Sequence, residues 1–331
     1  MICTQYIIHM TQSKCSLDLY TKFLIANQNK YSGVELSKTA VNQLSHDVVS
    51  DWLFGEKFES KDLWPYVKGI VEKDKGYLIV DDTVLDKRFS RKNELVSRHW
   101  SGNEHRLISG IDLVNLVWTD GEKCIPTDYR IYQSEKEGKR TKNEHFRDML
   151  TQAKKRAFKP YYVLGDCWYG SVENMKYINK LGWKFIFGLK ENRLVSITKN
   201  IYVPVSNLDW STKLIQKVWL KEYGFVLVAK MVITDDDVRY AVTDDLSLTD
   251  IDTFKTHMDQ RWNIEAFHRG IKQTTGIEKC YSILATSQKN HIFASFVAFV
   301  KLEYTRLQTG ISWYEQKATY ARIGTRFALG A

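Results

Sequence analysis

Apolar positions follow two periods along this chain, and the switch between them divides it. Residues 1–70 carry a helical pattern, and Pro65 marks a boundary before the first strand-length run. Beyond it, short apolar runs read as strands at 76–83, 107–118 and 125–132, with a turn at Thr119, Asp120 and Gly121. Residues 142–158 read as an amphipathic helix whose end carries Lys154, Lys155 and Arg156, cations suited to the helix dipole. Pro160 opens a fourth strand, 172–181 is a helix and 184–189 a fifth strand. Residues 192–245 break the alternation with strands at 214–220, 225–234 and 239–243, the turn before the last carrying Asp235, Asp236 and Asp237. Residues 250–272 then read as one long helix, with Thr249 as cap and Asp252 completing a capping box. Its buried side is Ile251, Phe254, Ile264, Phe267 and Ile271. Thr274, Thr275 and Gly276 end it, and 287–308 reads as a buried helix. Periodicity alone says mixed α/β.

Within the N-terminal region, 31–55 holds two short apolar-periodic stretches, with Ser45 or Asp47 as cap for the second. Two readings stand side by side: a helix-turn-helix that enters a major groove, or a small bundle packed on the rest. The aromatic and basic tail, 313–331, is assigned no element.

Composition narrows the class. The 331 residues are 44% hydrophobic with four prolines, enough for a sizeable core without long disordered linkers. Net charge is +9, which favours a polyanionic partner, nucleic acid before membrane. The longest apolar run, 292–300, is too short to span a bilayer. The five cysteines are scattered with no zinc or redox spacing, and with no signal peptide they fit a reducing cytoplasm.

Three acids stand out. The first strand ends in Asp81 and Asp82, and the fourth ends in Asp166. Carboxylates at strand ends sit where open α/β sheets bind ligands. On the long helix, Arg261, Glu265 and Lys272 fall within about 60° of one another. That face is a solvated ion-pair ladder unless the two aspartates meet it. Two strand-end aspartates and one helix glutamate can form an oxygen-rich pocket, which would suit Mg²⁺ or Mn²⁺.

These residues resemble the DDE transposases of bacterial insertion sequences. Arg261, Glu265 and Lys272 match the spacing of the signature Y-x2-R-x3-E-x6-K, with Met258 in place of its tyrosine. Asp82-Thr83 matches the first acidic motif. Asp166, with Tyr169-Gly170 after it, matches the second, and 187–193 resembles the strand that follows. The resemblance covers 76–308. It implies an RNase H-like mixed sheet flanked by helices (71–193 and 246–310), with a β-rich insertion at 194–245. The helical N-terminal region (1–70) and a C-terminal tail (311–331) flank that domain. Strand alternation does not decide between Asp81 and Asp82; the family's aspartate precedes threonine, which selects Asp82. Catalysis and metal binding then fall to Asp82, Asp166 and Glu265, with two divalent ions per site.

The implied activity is cleavage of double-stranded DNA at element ends and strand transfer into target DNA, by a homodimer in the DNA complex. Two rivals share the fold: an inactive DNA-binding descendant, and a nuclease without strand transfer. Arg261 and Lys272 would bind phosphates beside the metals, as would Lys87, Arg88, Arg91 and Lys92 of the basic loop after the first strand. Trp262 would stack a base flipped out of a DNA hairpin, unless the helix turns it into the core.

Overall fold

The computed structural model describes residues 15–40, 44–90, 92–101, 106–133, 140–198, 200–234 and 237–330. Of the sequence features above, residues 1–14 of the helical N-terminal region, 41–43 within the 31–55 stretch, Arg91, Asp235 and Asp236 lie outside the described residues.

The core is a sheet built outward from β1 (Tyr77–Asp86). β3 (Arg106–Thr119) pairs antiparallel with all of it, from Tyr77↔Thr119 to Asp86↔Gly110. β4 (Cys124–Tyr132) and the short β2 (Ser97–Ser101), which the apolar pattern did not reveal, share the other edge of β3. β5 (Tyr162–Gly165) joins β1 in parallel through α5 (Lys142–Lys155). β6 (Phe185–Leu189) joins β5 in parallel through α6 (Val172–Lys180). An antiparallel meander followed by parallel additions is the RNase H-like arrangement. The first four residues of β1 and all of β5 are buried, which accounts for their unbroken apolar runs.

The β-rich insertion does not stand apart. It contains β7 (Leu194–Ser196), β8 (Val203–Pro204), β9 (Ile215–Leu220), β10 (Gly224–Thr234) and β11 (Asp237–Thr243). β11 pairs antiparallel with β6, from Tyr240↔Leu189 to Thr243↔Ile186, so the insertion extends the central sheet to eleven strands. The open edge of β6 supplies the backbone donors and acceptors that recruit it.

The long helix expected over 250–272 is two helices, α7 (Ile251–Asp259) and α8 (Trp262–Thr275). At the joint, Gln260 N–H donates to the His257 carbonyl and Arg261 N–H to that of Met258, the tighter three-residue spacing of a 3₁₀ turn. The cap of α7 is Asp250, which accepts from Thr253 N–H at 2.8 Å; Thr249 is not the cap. Gly276 ends α8 at φ 65°, where the Tyr31 ring leaves no room for a Cβ.

α9 (Ala285–Thr309) is buried over most of its length and backs α8 and β4. The N-terminal helices α1 (Leu17–Ala26), α2 (Gly33–Thr39) and α3 (His46–Gly55) form a bundle on it, with Leu24, Val49, Ala294 and Ala298 fully buried between them. A short α4 (Trp64–Val67) leads into β1. The tail forms α10 (Trp313–Ala328). Glu303 of α9 ties it down: its carboxylate accepts from Trp313 Nε1 at 2.7 Å and from the Cys124 amide of β4 at 2.8 Å. Among the described residues, no helix is long and apolar enough to cross a membrane.

Candidate active site

The parallel β1–β5 register ends at Val80↔Gly165, which brings Asp81 and Asp166 side by side where the two strands part. Asp166 Oδ1 accepts from the amides of Trp168 (2.9 Å) and Tyr169 (3.3 Å), so the loop after β5 fixes its carboxylate. α8 crosses the same face. Asn115, which pairs with Asp81 across β1 and β3, meets His268 of α8 at 3.0 Å. His268 is three residues from Glu265, so this contact sets α8 over Asp81. Asp81, Asp166 and Glu265 thereby line one cavity of about 740 Å³, with Met258, Arg261 and Trp262 among the other lining residues.

The electrostatics of this cavity disfavour uncompensated negative charge. Burial, then the Asp82 and Asp166 charges, pushes the Asp81 carboxyl up to about 7. Burial also raises Asp166, against the two amide hydrogen bonds that stabilise its charge. Glu265 is held by Arg261, Nη1 to Oε1 at 2.9 Å. His268 is pushed down to about 3 by burial, then by Lys272, and stays neutral beside the acids. Asp81 and Asp166, half-buried and both raised, offer carboxylate oxygens, the donor type that suits a hard divalent cation. Among the described residues, however, no three of His, Cys, Asp or Glu are drawn close enough together to hold one. The donor types fit; the Arg261–Glu265 pair keeps the third donor engaged elsewhere.

Asp82 is on the other face. Its carboxylate accepts from Lys142 Nζ of α5 (2.7 Å) and from the Tyr169 hydroxyl (3.1 Å). Lys142 also pairs with Asp112 at 2.6 Å, and His99 lies 3.3 Å from the same aspartate. Asp112 is fully buried. Burial works against the charge of Lys142, but Asp112 and Asp82 outweigh it and hold the ammonium above its ordinary range. This cluster locks β1, β3 and α5 together behind the cavity. The motif-based choice of Asp82 thus meets a side chain turned away from Asp166 and Glu265. The parallel pairing of β1 with β5, which only the fold reveals, sets position 81 and not 82 beside 166.

The expected cations divide similarly. Arg261 lines the cavity and lies 4.6 Å from the Trp262 ring, with Arg239 at 5.7 Å from that ring. Trp262 is 46% exposed and faces the cavity rather than the core. Lys272 donates to the Val84 carbonyl of β1 at 2.8 Å and pairs with Glu278. Lys87 is buried, its Nζ on the Cys280 carbonyl at 2.9 Å, and burial lowers its affinity for a proton. That removes it from the phosphate-facing surface the loop was expected to form. Arg88 pairs with Asp86, and Lys92 is exposed. The sequence reading missed Lys255, Arg239 and Glu191 in the cavity wall, since they come from α7, β11 and the turn after β6. Only the tertiary fold gathers them.

Among solved structures, the chain is similar to a piggyBac transposase synaptic complex with hairpin DNA, seen by cryo-EM. The TM-score is 0.52 at 10% identity, covering 92% of this chain and 68% of that one. At this identity the likeness is one of fold. A Drosophila P element transposase strand transfer complex also matches, with a TM-score of 0.30 at 10% identity, over 58% of this chain and 41% of that one. No curated protein matches the chain. The family described as the transposase DDE domain matches residues 72–300, from just before β1 to within α9, so the match takes in Asp81, Asp166 and Glu265; the chain belongs to the DDE transposase family.

Proposed function

We propose that this transposase, from a bacterial insertion sequence, cleaves double-stranded DNA at element ends and joins the freed end to target DNA, acting as a homodimer. Asp81, Asp166 and Glu265 are the acids that would hold two divalent ions, Mg²⁺ or Mn²⁺. The single observation that carries this reading is the shared cavity: two strand-end carboxyls and one helix carboxylate face the same space. The chain's own residues divide the remaining work. The amides of Trp168 and Tyr169 hold Asp166 in orientation. Arg261, whose guanidinium has only Glu265 as ionic partner among the described residues, can exchange that carboxylate for a DNA phosphate, which frees Glu265 toward Asp81 and Asp166. Trp262 offers an aromatic face to an unstacked base at the cavity mouth. The ions, when bound, activate water or a 3′-hydroxyl and stabilise the leaving 3′ oxygen.

The test is incubation with the element's own flanking DNA and Mg²⁺ or Mn²⁺. Nicked ends and joined products, both lost in Asp81→Asn, support the proposal. Nicking without joining indicates a nuclease, and end binding without either product indicates an inactive descendant. Cleavage at the wild-type rate in Asp81→Asn, with loss in Asp82→Asn, would return the first acid to the position that the motif suggests.

A further inference from the structure

A second groove, of about 520 Å³, adjoins the carboxylate cavity; Cys167 and Leu189 stand in the walls of both. One wall is the loop after β5 and the start of α6. The other is the end of β6, the turn after it and the β9–β10 turn. Two glycines let the walls meet. A Cβ on Gly188 would lie 3.0 Å from the Cys167 amide nitrogen, and one on Gly170 would lie 3.2 Å from the Gly188 carbonyl oxygen. Lys190, Arg193 and Lys221 line the groove against one carboxylate, Glu222. No described carboxylate forms an ion pair with any of these three cations. On the opposite wall Trp168 is 58% exposed, although its amide is fixed by Asp166. The insertion is what completes this wall, since Lys221 comes from the β9–β10 turn.

An exposed indole facing unpaired cations is the arrangement that binds single strands, with bases stacked on the ring and phosphates tracked by the charges. A groove of this size takes a nucleotide-sized ligand and not a duplex. We infer that this groove receives a single DNA strand leaving the carboxylate cavity, with one base on Trp168 and its phosphates on Lys190, Arg193 and Lys221. The inference rests on the proposed DNA chemistry of the neighbouring cavity and adds a strand-specific subsite to it.

The experiment is fluorescence anisotropy of the full chain in EDTA, with a labelled blunt duplex and the same duplex carrying a short oligo(dT) tail. The tailed probe should bind more tightly. Trp168→Ala should remove about tenfold of that preference while Trp168→Phe keeps most of it, as stacking on a smaller ring predicts. Arg193→Ala and Lys221→Ala should each make the salt dependence for the tailed probe shallower by about 0.7 in log–log slope. Equal affinity for the two probes, or a tail preference that none of these changes alters, overturns the inference. Nicking of supercoiled plasmid with Mn²⁺ is measured in parallel. Nicking that depends on Asp81, without a tail preference, removes the groove and leaves the proposed function. A Trp168-dependent tail preference without nicking keeps the groove and removes the catalytic reading.

Discussion

Asp81 and Asp82 are consecutive in β1, yet their carboxylates serve opposite faces of the sheet. Asp81 lines the cavity with Asp166 and Glu265, and Asp82 accepts from Lys142 and Tyr169 behind it. Strand geometry forces the separation, because successive side chains point to opposite sides. The two residues therefore have separable effects. Asp81→Asn should lower DNA nicking about 10³-fold or more, a loss of several kcal/mol of charge stabilisation, with folding intact. Asp82→Ala should cost about 1–3 kcal/mol of stability, since it strips one partner from the mostly buried Lys142. Nicking rates beside denaturant melts of both variants check the division.

The pH dependence of stability tests the cavity's electrostatics. Unfolded, an aspartate titrates near pH 4; in the fold, burial first and then Asp82 and Asp166 push Asp81 up to about 7. Between those values the native state holds a proton that the unfolded chain has released. Asp81's contribution is thus fully present below about pH 4 and is lost as pH rises through about 7. Asp81→Asn should flatten this part of the profile and raise the melting temperature of the EDTA-treated protein at about pH 8. Added Mg²⁺ should then raise the melting temperature of the wild type and leave the variant unmoved. A variant that melts below the wild type throughout this range would contradict the burial argument.

Lys272 and Lys255 exchange the roles that helix spacing suggests. Lys272 holds the Val84 carbonyl, whereas Lys255 lines the cavity. Lys272→Ala should lower stability by about 1–2 kcal/mol through the lost hydrogen bond. Lys255→Ala should leave the melting curve in place and reduce DNA affinity and its salt dependence. Paired melting and salt-titrated binding experiments separate them.

The N-terminal bundle is predicted to serve stability rather than DNA reading. α3, the helix that a helix-turn-helix would place in the groove, carries Asp47 and Asp51 and neither Lys nor Arg. Its Trp52 is buried against Tyr20, with ring centroids 5.2 Å apart. Trp52→Ala should cost about 3–5 kcal/mol. At a temperature where this variant is still folded, its DNA affinity should match the wild type. A selective loss of DNA binding at unchanged stability would restore the recognition-helix reading.

The sequence by itself determined the order of the main elements, though not β2, the α7–α8 joint or α10. The first, third and fourth strands, the helices around 142–155 and 172–180, and the buried 285–309 helix were all legible because periodicity is a local property. It also determined that two strand-end acids and one helix acid exist, since the residue types and their order are written in the chain. What it did not contain was which face of β1 meets α8. That choice depends on the Asn115–His268 contact and on α5 covering the opposite side with Lys142, both non-local. The same limit hid the burial of Lys87 under the Cys280 carbonyl and the pairing of β11 with β6. Charge and alternation are properties of a segment. Whether a charged side chain reaches solvent, and which edge a strand finds, is decided by partners distant in the chain, and only the packed structure supplies them.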